Sequence, residues 1–170
     1  MSDLFRFPDP VDEISARLVA AGVVLLSVVY VATGWLPLVV VLAYGFVARV
    51  LTGPTLSPLG TLVTRVVRPR LAVRPRYVPG PPKRFAQGIG AVMSVGALVV
   101  ALVADSSTPA RVIIALLTVA AFLESALAIC LGCKIFGVLM ARGLVPASVC
   151  EACADISKAP SRASAAAPLT

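Results

Sequence analysis

Between Arg17 and Arg49 the chain has 31 consecutive residues without a charged side chain. A single helix of that length, at about 1.5 Å per residue, would overshoot the roughly 30 Å hydrocarbon core of a bilayer. The run is also interrupted near its middle by Gly34, Trp35 and Pro37. It therefore predicts a transmembrane helical hairpin over residues 14–52, with helices at about 14–33 and 36–52; the alternative is one long, kinked helix.

Composition supports a membrane location for the whole chain. Of its 170 residues, 59% are hydrophobic and 14% are charged, and the mean hydropathy is +0.97, whereas soluble domains have roughly 45–50% apolar and about 25% charged residues. A chain of this size cannot bury so much apolar surface internally. A water-soluble single domain and a wholly disordered chain are both excluded. The sequence contains no histidine, so His-ligated haem, His-containing zinc sites and His-based acid–base catalysis are excluded too.

The sequence predicts an all-α, polytopic membrane protein with about four transmembrane helices and a short C-terminal cytoplasmic helix. An acidic N-terminal segment, residues 1–13, is unlike the positive n-region of a signal peptide. We expect the following order after the hairpin: a basic, Pro-rich cytoplasmic loop (53–84), a second transmembrane pair (85–131), a cytoplasmic four-cysteine segment (130–157) and a disordered tail (158–170). Arg17 and Arg49 would extend to the cytoplasmic surface, and Tyr30 and Trp35 would mark the opposite interface.

The loop over residues 53–84 combines many prolines with seven basic side chains. Its prolines forbid a long helix and leave room for one amphipathic turn at residues 59–67. An Arg/Lys excess indicates the cytoplasmic side and attraction to anionic membrane lipids. Nucleic-acid binding is the alternative, but Tyr77 is the one aromatic residue available for stacking, so no nucleic-acid partner is expected. The basic residues are Arg65, Arg68, Arg70, Arg74, Arg76, Lys83 and Arg84.

All four cysteines lie in one window, as two C-x-x-C pairs separated by 16 residues: Cys130, Cys133, Cys150 and Cys153. This spacing is typical of a zinc site, and a reducing cytoplasm disfavours stable disulfides. The first pair is predicted at the C-terminal end of the fourth transmembrane helix, where the helix dipole opposes a thiolate.

The second pair follows Ser148 and precedes Glu151 in a pattern typical of a capping box. Cys150 would then lie in the first turn of a short helix, which lowers a thiol's pKa. Cys150 is thus the predicted nucleophile, with Cys153 one turn further on.

Two features of the predicted third and fourth helices complete the candidate set. Glu124 is an intramembrane carboxylate, either a packing hydrogen bond to Ser125, Ser94 or a tyrosine, or a proton- or ligand-binding group. It would lie on the face opposite Cys133. Ala86, Gly90 and Ser94 form a small-residue stripe that lets another helix approach closely.

Several segments resemble the bacterial membrane family known as domain of unknown function 4395, over roughly residues 5–140. The resemblance implies an integral membrane protein with no settled activity. Relatives in the family are often encoded near thioredoxin-like or rhodanese-like proteins, and this association favours thiol or sulfur chemistry. One departure is Val11, which follows Asp9-Pro10 where many members carry a basic residue. The segments are 46–49, Gly53-Pro54-x-x-Ser57-Pro58-Leu59-Gly60, Val67-Arg68-Pro69-Arg70-Leu71, Pro82-Lys83-Arg84-Phe85-Ala86-Gln87-Gly88 and Cys130-Leu-Gly-Cys133-Lys134.

Three functions remain open for a protein of the bacterial plasma (inner) membrane with both termini cytoplasmic. In a thiol-redox or sulfur relay, Cys150 attacks a partner's disulfide or persulfide, Cys153 resolves it, and the first pair passes electrons toward the membrane. Alternatively, all four cysteines bind zinc or, less favourably, an iron–sulfur cluster. A third hypothesis is an accessory subunit of a larger membrane complex, recognised by the small-residue stripe.

Overall fold

The computed structural model describes residues 7–104 and 106–150, which are mainly helical, and the helical fold class is confirmed. A short antiparallel ladder joins β1 (Val11–Asp12) to β2 (Tyr77–Val78), with Val11 opposite Val78. A π-helical segment, Val63–Val67, links α3 to α4, and a 3₁₀ turn spans Ala147–Val149. The helices are α1 (Glu13–Thr33), α2 (Leu36–Thr52), α3 (Pro58–Leu62), α4 (Arg68–Arg70), α5 (Gly80–Val103), α6 (Thr108–Leu127) and α7 (Leu131–Ala141).

Within the described ranges, three helices are long and apolar enough to cross a membrane: α1, α5 and α6. The fourth helix of the expected set, α2, is apolar but has only 17 residues. Large apolar side chains on the three long helices point outward, among them Leu25, Val92, Leu116 and Phe122. This outer surface is consistent with a membrane protein.

The uncharged run forms two helices and not one kinked helix. Asp12 caps α1 by accepting a hydrogen bond from the Ile14 N–H. The helix ends at Gly34, whose φ of 68° lies in the left-handed region and whose N–H donates to the Tyr30 carbonyl. Pro37 then lies in the first turn of α2, where a missing N–H costs nothing.

Two helix boundaries differ from those the sequence predicts. Helix α5 begins at Gly80, five residues before Phe85, because prolines 81 and 82 are tolerated in a first helical turn. Helix α6 ends at Leu127 and not at Leu131, because Ala128 adopts a left-handed φ of 56°. Lys83 and Arg84 therefore belong to α5 and not to the loop.

The long helices form a bundle in which α1 packs along α6 and α2 packs along α5, while α5 also contacts α6 and α7. The core is built from aliphatic residues together with Phe46 and Tyr30. Tyr30 is 1% exposed, so its prediction as an interfacial ring is wrong, whereas Trp35 is exposed. Tyr30 faces inward on α1 because α6 covers that side of the helix.

Arg17 and Arg49 do not extend freely to the surface as predicted. The Arg17 guanidinium donates from Nε and Nη2 to the Ser125 carbonyl, at 3.1 and 3.0 Å. It thereby satisfies carbonyls at the C-terminal end of α6, which have no partner within the helix. Arg49 is 5% exposed and lies inside the bundle. Both depart from the prediction because neighbouring helices offer them acceptors.

The small-residue stripe on α5 is covered within the chain. A Cβ added at Gly90 would overlap the Phe46 ring of α2, and one added at Gly132 would lie 2.5 Å from the Ala86 Cβ. Ser94 is fully buried. The stripe packs against α2 and α7, so it is not an open surface for a partner subunit.

The basic segment contains more helix than predicted, because helical structure runs without interruption over residues 58–70. Arg68 Nε lies 2.6 Å from the Asp12 carboxylate, and Arg76 Nε lies 2.9 Å from the Glu13 carboxylate. These two pairs and the β1–β2 ladder fasten the segment to the start of α1. A group of basic side chains remains exposed: Arg65, Arg70, Arg74, Arg76 and Arg84.

Candidate thiol site

The first C-x-x-C pair begins a helix instead of ending one. After the left-handed residue Ala128 the chain leaves α6, and Cys130, with extended backbone angles, is the N-cap of α7. The Cys133 N–H donates to the Cys130 sulfur at 3.3 Å. The prediction that Cys130 and Cys133 extend the fourth transmembrane helix is therefore wrong, because Ala128 breaks that helix.

This position reverses the electrostatic environment expected for Cys130. Free N–H groups and the positive end of the helix dipole favour an anion at a helix N-terminus. A hydrogen bond from the Cys133 thiol lowers the pKa of Cys130 below its ordinary value. The same hydrogen bond, together with burial, raises the pKa of Cys133. The pair therefore has one sulfur suited to be a thiolate and one suited to remain a thiol.

Close packing holds the start of α7 against α5. Gly132, between the two cysteines, is buried directly against Ala86. One turn later the Phe136 ring lies against Phe85 of α5, with ring centroids 5.6 Å apart. The first cysteine pair is thus positioned by contacts on both sides of Cys133.

Glu124 is paired with Lys83, a cation that was predicted to lie in the basic loop. Lys83 Nζ lies 2.6 Å from Glu124 Oε1, and the two side chains are 9% and 15% exposed. Ser125, Ser94 and a tyrosine were the predicted hydrogen-bond partners of Glu124, but its partner in the structure is Lys83. Lys83 also interacts electrostatically with Cys130 and Cys133. The prediction that Glu124 is remote from the cysteines is wrong, because the break at Ala128 turns the chain back toward it.

Arg49 lies near the Lys83–Glu124 pair, and its own hydrogen-bond partners are polar but uncharged. Its Nε donates to Gln87 Oε1 at 2.9 Å and its Nη1 donates to Ser57 Oγ at 3.1 Å. Its guanidinium carbon lies 4.4 Å from the centre of the Phe46 ring, a favourable cation–π distance. These contacts hold a buried cation in the bundle without a carboxylate in direct contact among the residues described.

A cavity of about 260 Å³ lies between these helices and is lined by some of these groups. Its walls come from α1, α2, α5, α6 and the start of α7, and they are mostly aliphatic. The polar groups on its surface are Arg49, Gln87, Glu124 and Cys130. A small apolar molecule with polar atoms at one end is the kind of ligand such a cavity accommodates.

A family model described as "Domain of unknown function (DUF4395)" matches residues 11–141. The chain belongs to the DUF4395 family. No curated protein and no solved structure matches it. The resemblance drawn from the sequence is thus confirmed, and the DUF4395 match spans both the buried charges and the first cysteine pair.

The second cysteine pair of this DUF4395 protein is only partly within the described residues. Cys150 is 5% exposed and disulfide-bonded, whereas Cys130 and Cys133 are free. Ser148 lies inside the 3₁₀ turn and is not a helix N-cap, so the predicted capping box is wrong on its Ser148 side. Glu151 and Cys153 lie outside the described residues.

The four-cysteine metal site predicted from the sequence includes Cys153, which lies outside the described residues. Among residues 7–104 and 106–150, no cluster of three or more His, Cys, Asp or Glu side chains is suited to a metal. Zinc and an iron–sulfur cluster would both take four thiolates there, and this hypothesis stays a prediction.

Sequence reasoning missed Arg49, Gln87 and Ser57 as members of the site in this DUF4395 protein. Arg49 ended an apolar run and was interpreted as a surface residue. Gln87 was present in the Arg-Phe-Ala-Gln motif on which the family resemblance depends, and a polar amide at the start of an apolar helix was the available signal.

Proposed function

We propose that this DUF4395 protein is a membrane thiol–disulfide oxidoreductase whose reactive dithiol is Cys130 and Cys133. The observation that carries the proposal is the Cys130 sulfur at the N-terminus of α7, where it accepts a hydrogen bond from the Cys133 N–H. This arrangement favours a thiolate at Cys130. The proposed nucleophile is therefore Cys130, and the earlier assignment of that role to Cys150 is replaced.

The reaction is an exchange in which no further oxidant is required. The Cys130 thiolate attacks one sulfur of a partner disulfide, a mixed disulfide forms, and the second partner sulfur leaves as a thiolate. Cys133 then loses its proton and attacks the Cys130 sulfur. A Cys130–Cys133 disulfide forms and the partner is released as a dithiol. The positive charge of Lys83 would support the thiolate at the start of this cycle.

The proposal includes a location and a class of partner. We propose the bacterial inner membrane, with α2 as a fourth crossing and with both termini and the basic loop in the cytoplasm. The Arg/Lys excess of the loop supports this orientation. A thioredoxin-like or rhodanese-like protein, carrying a disulfide or persulfide, is then the proposed partner. Participation in a larger membrane complex is compatible with this activity.

The test is the pH dependence of thiol alkylation in the purified protein, read by mass spectrometry. We expect Cys130 to react with iodoacetamide at a lower pH than Cys133. The Cys133→Ser variant should shift the pH profile of Cys130 alkylation, because the hydrogen bond from the Cys133 thiol to Cys130 is replaced. Equal profiles for the two cysteines, together with no exchange against a soluble disulfide, would overturn the proposal.

Metal analysis of the same preparation separates the zinc hypothesis from thiol exchange. One zinc ion per chain, lost equally on changing any of the four cysteines to serine, would support the metal site. Metal-free protein with two alkylatable thiols at positions 130 and 133 supports exchange.

A further inference from the structure

Two buried cations, Lys83 and Arg49, share one carboxylate beside the cavity, and of the two cations Arg49 lines the cavity itself. Glu124 is in direct contact with Lys83 and also interacts electrostatically with Arg49. One carboxylate therefore serves two buried cations. Buried charges in proteins are normally paired or hydrogen-bonded, so a further acceptor near Arg49 would complete this arrangement.

Arg49 has donor capacity left for a ligand. A guanidinium has five N–H donors, and the hydrogen bonds of Arg49 to described residues use Nε and Nη1. Arg49 lines the cavity together with Gln87. Gln87 accepts from Arg49 through Oε1, which leaves its amide NH₂ as a second donor group.

The cavity reaches the apolar outer surface of the bundle. Two of its lining residues, Leu116 on α6 and Ile135 on α7, are 61% and 47% exposed. A ligand that is dissolved in the membrane could therefore enter between these helices. A small hydrophilic anion suits this route poorly, and the Glu124 carboxylate on the wall would repel it.

We propose that the cavity binds the ring of a membrane quinone and that the quinone oxidises the Cys130–Cys133 dithiol. This inference rests on the proposed function, with the exchange running in the reverse direction: a partner dithiol reduces the Cys130–Cys133 disulfide. The quinone is then the electron acceptor that re-forms this disulfide. A quinone ring is apolar and neutral and has two carbonyl oxygens that accept hydrogen bonds. Arg49 and Gln87 donate to one end of it, and the Cys130 sulfur lies on the wall of the same cavity.

The reaction balances as a two-electron transfer. Two S–H bonds break, one S–S bond forms between Cys130 and Cys133, and two electrons pass to the quinone. Two O–H bonds form on the quinone oxygens, which makes it a hydroquinone. The two protons in these O–H bonds equal the two that the thiols lose. The proton released when Cys130 becomes a thiolate reaches the quinone through solvent or through the Lys83–Glu124 pair.

The experiment uses the pre-reduced full chain in detergent micelles under anaerobic conditions, with decylubiquinone as the probe. We expect one hydroquinone per chain, followed by ultraviolet absorbance, with the loss of two alkylatable thiols. In turnover with a soluble dithiol, Arg49→Gln should raise the KM for the quinone about tenfold, as expected for the loss of one hydrogen bond from a charged donor. Arg49→Lys, which keeps a cation, serves if the glutamine variant does not fold. Arg70→Gln, at an exposed arginine, is the matched control and should leave the KM unchanged.

The outcomes separate this inference from the proposed function. Exchange with a soluble disulfide but no hydroquinone overturns the quinone site and leaves the oxidoreductase proposal standing. An unchanged KM in both Arg49 variants also overturns the site, as does a tightly bound phospholipid that fills the cavity and is not displaced by quinone. Absence of both exchange and hydroquinone formation overturns both proposals.

Discussion

Lys83 and Glu124 form a buried pair in which each charge depends on the other. They lie 2.6 Å apart on α5 and α6, and both are mostly shielded from solvent. Removal of one member of such a pair leaves an uncompensated buried charge, which is more costly than removal of both. The consequences of substitution here follow from charge and not from shape.

We predict that Glu124→Gln is strongly destabilising, although glutamine retains hydrogen-bonding groups. The Lys83 ammonium loses its carboxylate, and the free energy of unfolding should fall by about 3–5 kcal/mol. The double variant Lys83→Met/Glu124→Met should be more stable than either single variant. Denaturant unfolding in detergent micelles, followed by circular dichroism, measures both effects.

The ion pair of Arg76 and Glu13 is the control for that prediction, because its cation is in solvent. The Glu13 side chain is 13% exposed, but that of Arg76 is 78% exposed. The cation left by Glu13→Gln therefore stays hydrated, and stability should change by less than about 1 kcal/mol. If Glu124→Gln proves equally mild, the carboxylate is not the stabilising partner of Lys83.

Asp12 gives the protein an acid-sensitive contact at the start of α1. Partial burial raises the pKa of Asp12, but hydrogen bonds from Arg68, Ser15 and the Ile14 N–H outweigh it, so the net pKa is below its ordinary value. A carboxyl with a depressed folded-state pKa contributes stability above its unfolded-state pKa, and that stability is lost as the pH falls through the folded-state value.

We therefore predict a pH-dependent difference between the wild type and Asp12→Asn. Asparagine is also a good N-cap, so mainly the ion pair with Arg68 is lost, on the order of 1–2 kcal/mol at neutral pH. The difference in unfolding free energy should shrink as the pH falls below about 4, near the ordinary pKa of an aspartate. A difference that is constant from pH 7 to pH 3 would contradict this.

At the scale of elements, the approach of α7 to α5 depends on Gly132. Gly132→Ala would place a methyl group 2.5 Å from the Ala86 Cβ, and overpacking of this kind costs about 1–3 kcal/mol. We predict that this variant is destabilised and that the alkylation of Cys130 changes with it, since α7 must move. Thermal unfolding and the alkylation rate are the two measurements.

Gly137, five residues further along α7, is the matched control. A Cβ at Gly137 meets nothing within 4 Å, and alanine is the better helix former by up to about 1 kcal/mol. Gly137→Ala should therefore be neutral or slightly stabilising. Equal behaviour of the two variants would show that α7 does not pack closely on α5.

Element boundaries could be predicted where the chain carries a strong local signal. Gly34, Trp35 and Pro37 mark the hairpin break, because glycine permits a left-handed φ and proline begins a helix. The break at Ala128 has no such signal: Ala-Ile-Cys-Leu is apolar and would continue a helix. Its position follows from tertiary packing of α7 on α5, which local periodicity cannot show. For this reason the effect of the helix dipole on a Cys130 thiolate was predicted as unfavourable, whereas the structure makes it favourable.

At the scale of the molecule, the site joins residues that are far apart in sequence. Lys83 and Glu124 are 41 residues apart, and Arg49 and Gln87 are 38 apart. The sequence identified Glu124 and the cysteines because charges and thiols are rare in apolar segments. It could not show that a lysine at the end of a basic loop would turn inward, because that depends on how four helices are arranged.

We predict a topology of four crossings with the basic loop inside the cell. Reporter fusions after Thr33 and Ser106 should be extracytoplasmic, and fusions after Tyr77 and Lys158 should be cytoplasmic. The reason is the Arg/Lys excess of the loop and the run of apolar helices on either side of it. A cytoplasmic signal after Thr33 would mean that the 17-residue α2 does not cross.

The contact of Arg17 with the end of α6 has a consequence for the order of events during synthesis. Arg17 and Ser125 are 108 residues apart, and α1 packs chiefly along α6, the last of the long helices to be made. The first helix is therefore without its main neighbour for several seconds or more after it is made, at roughly 5–20 residues per second. A chain that stops before α6 leaves α1 with its inner face uncovered and Arg17 without its carbonyl acceptors, so truncated products should be preferred substrates for membrane proteases.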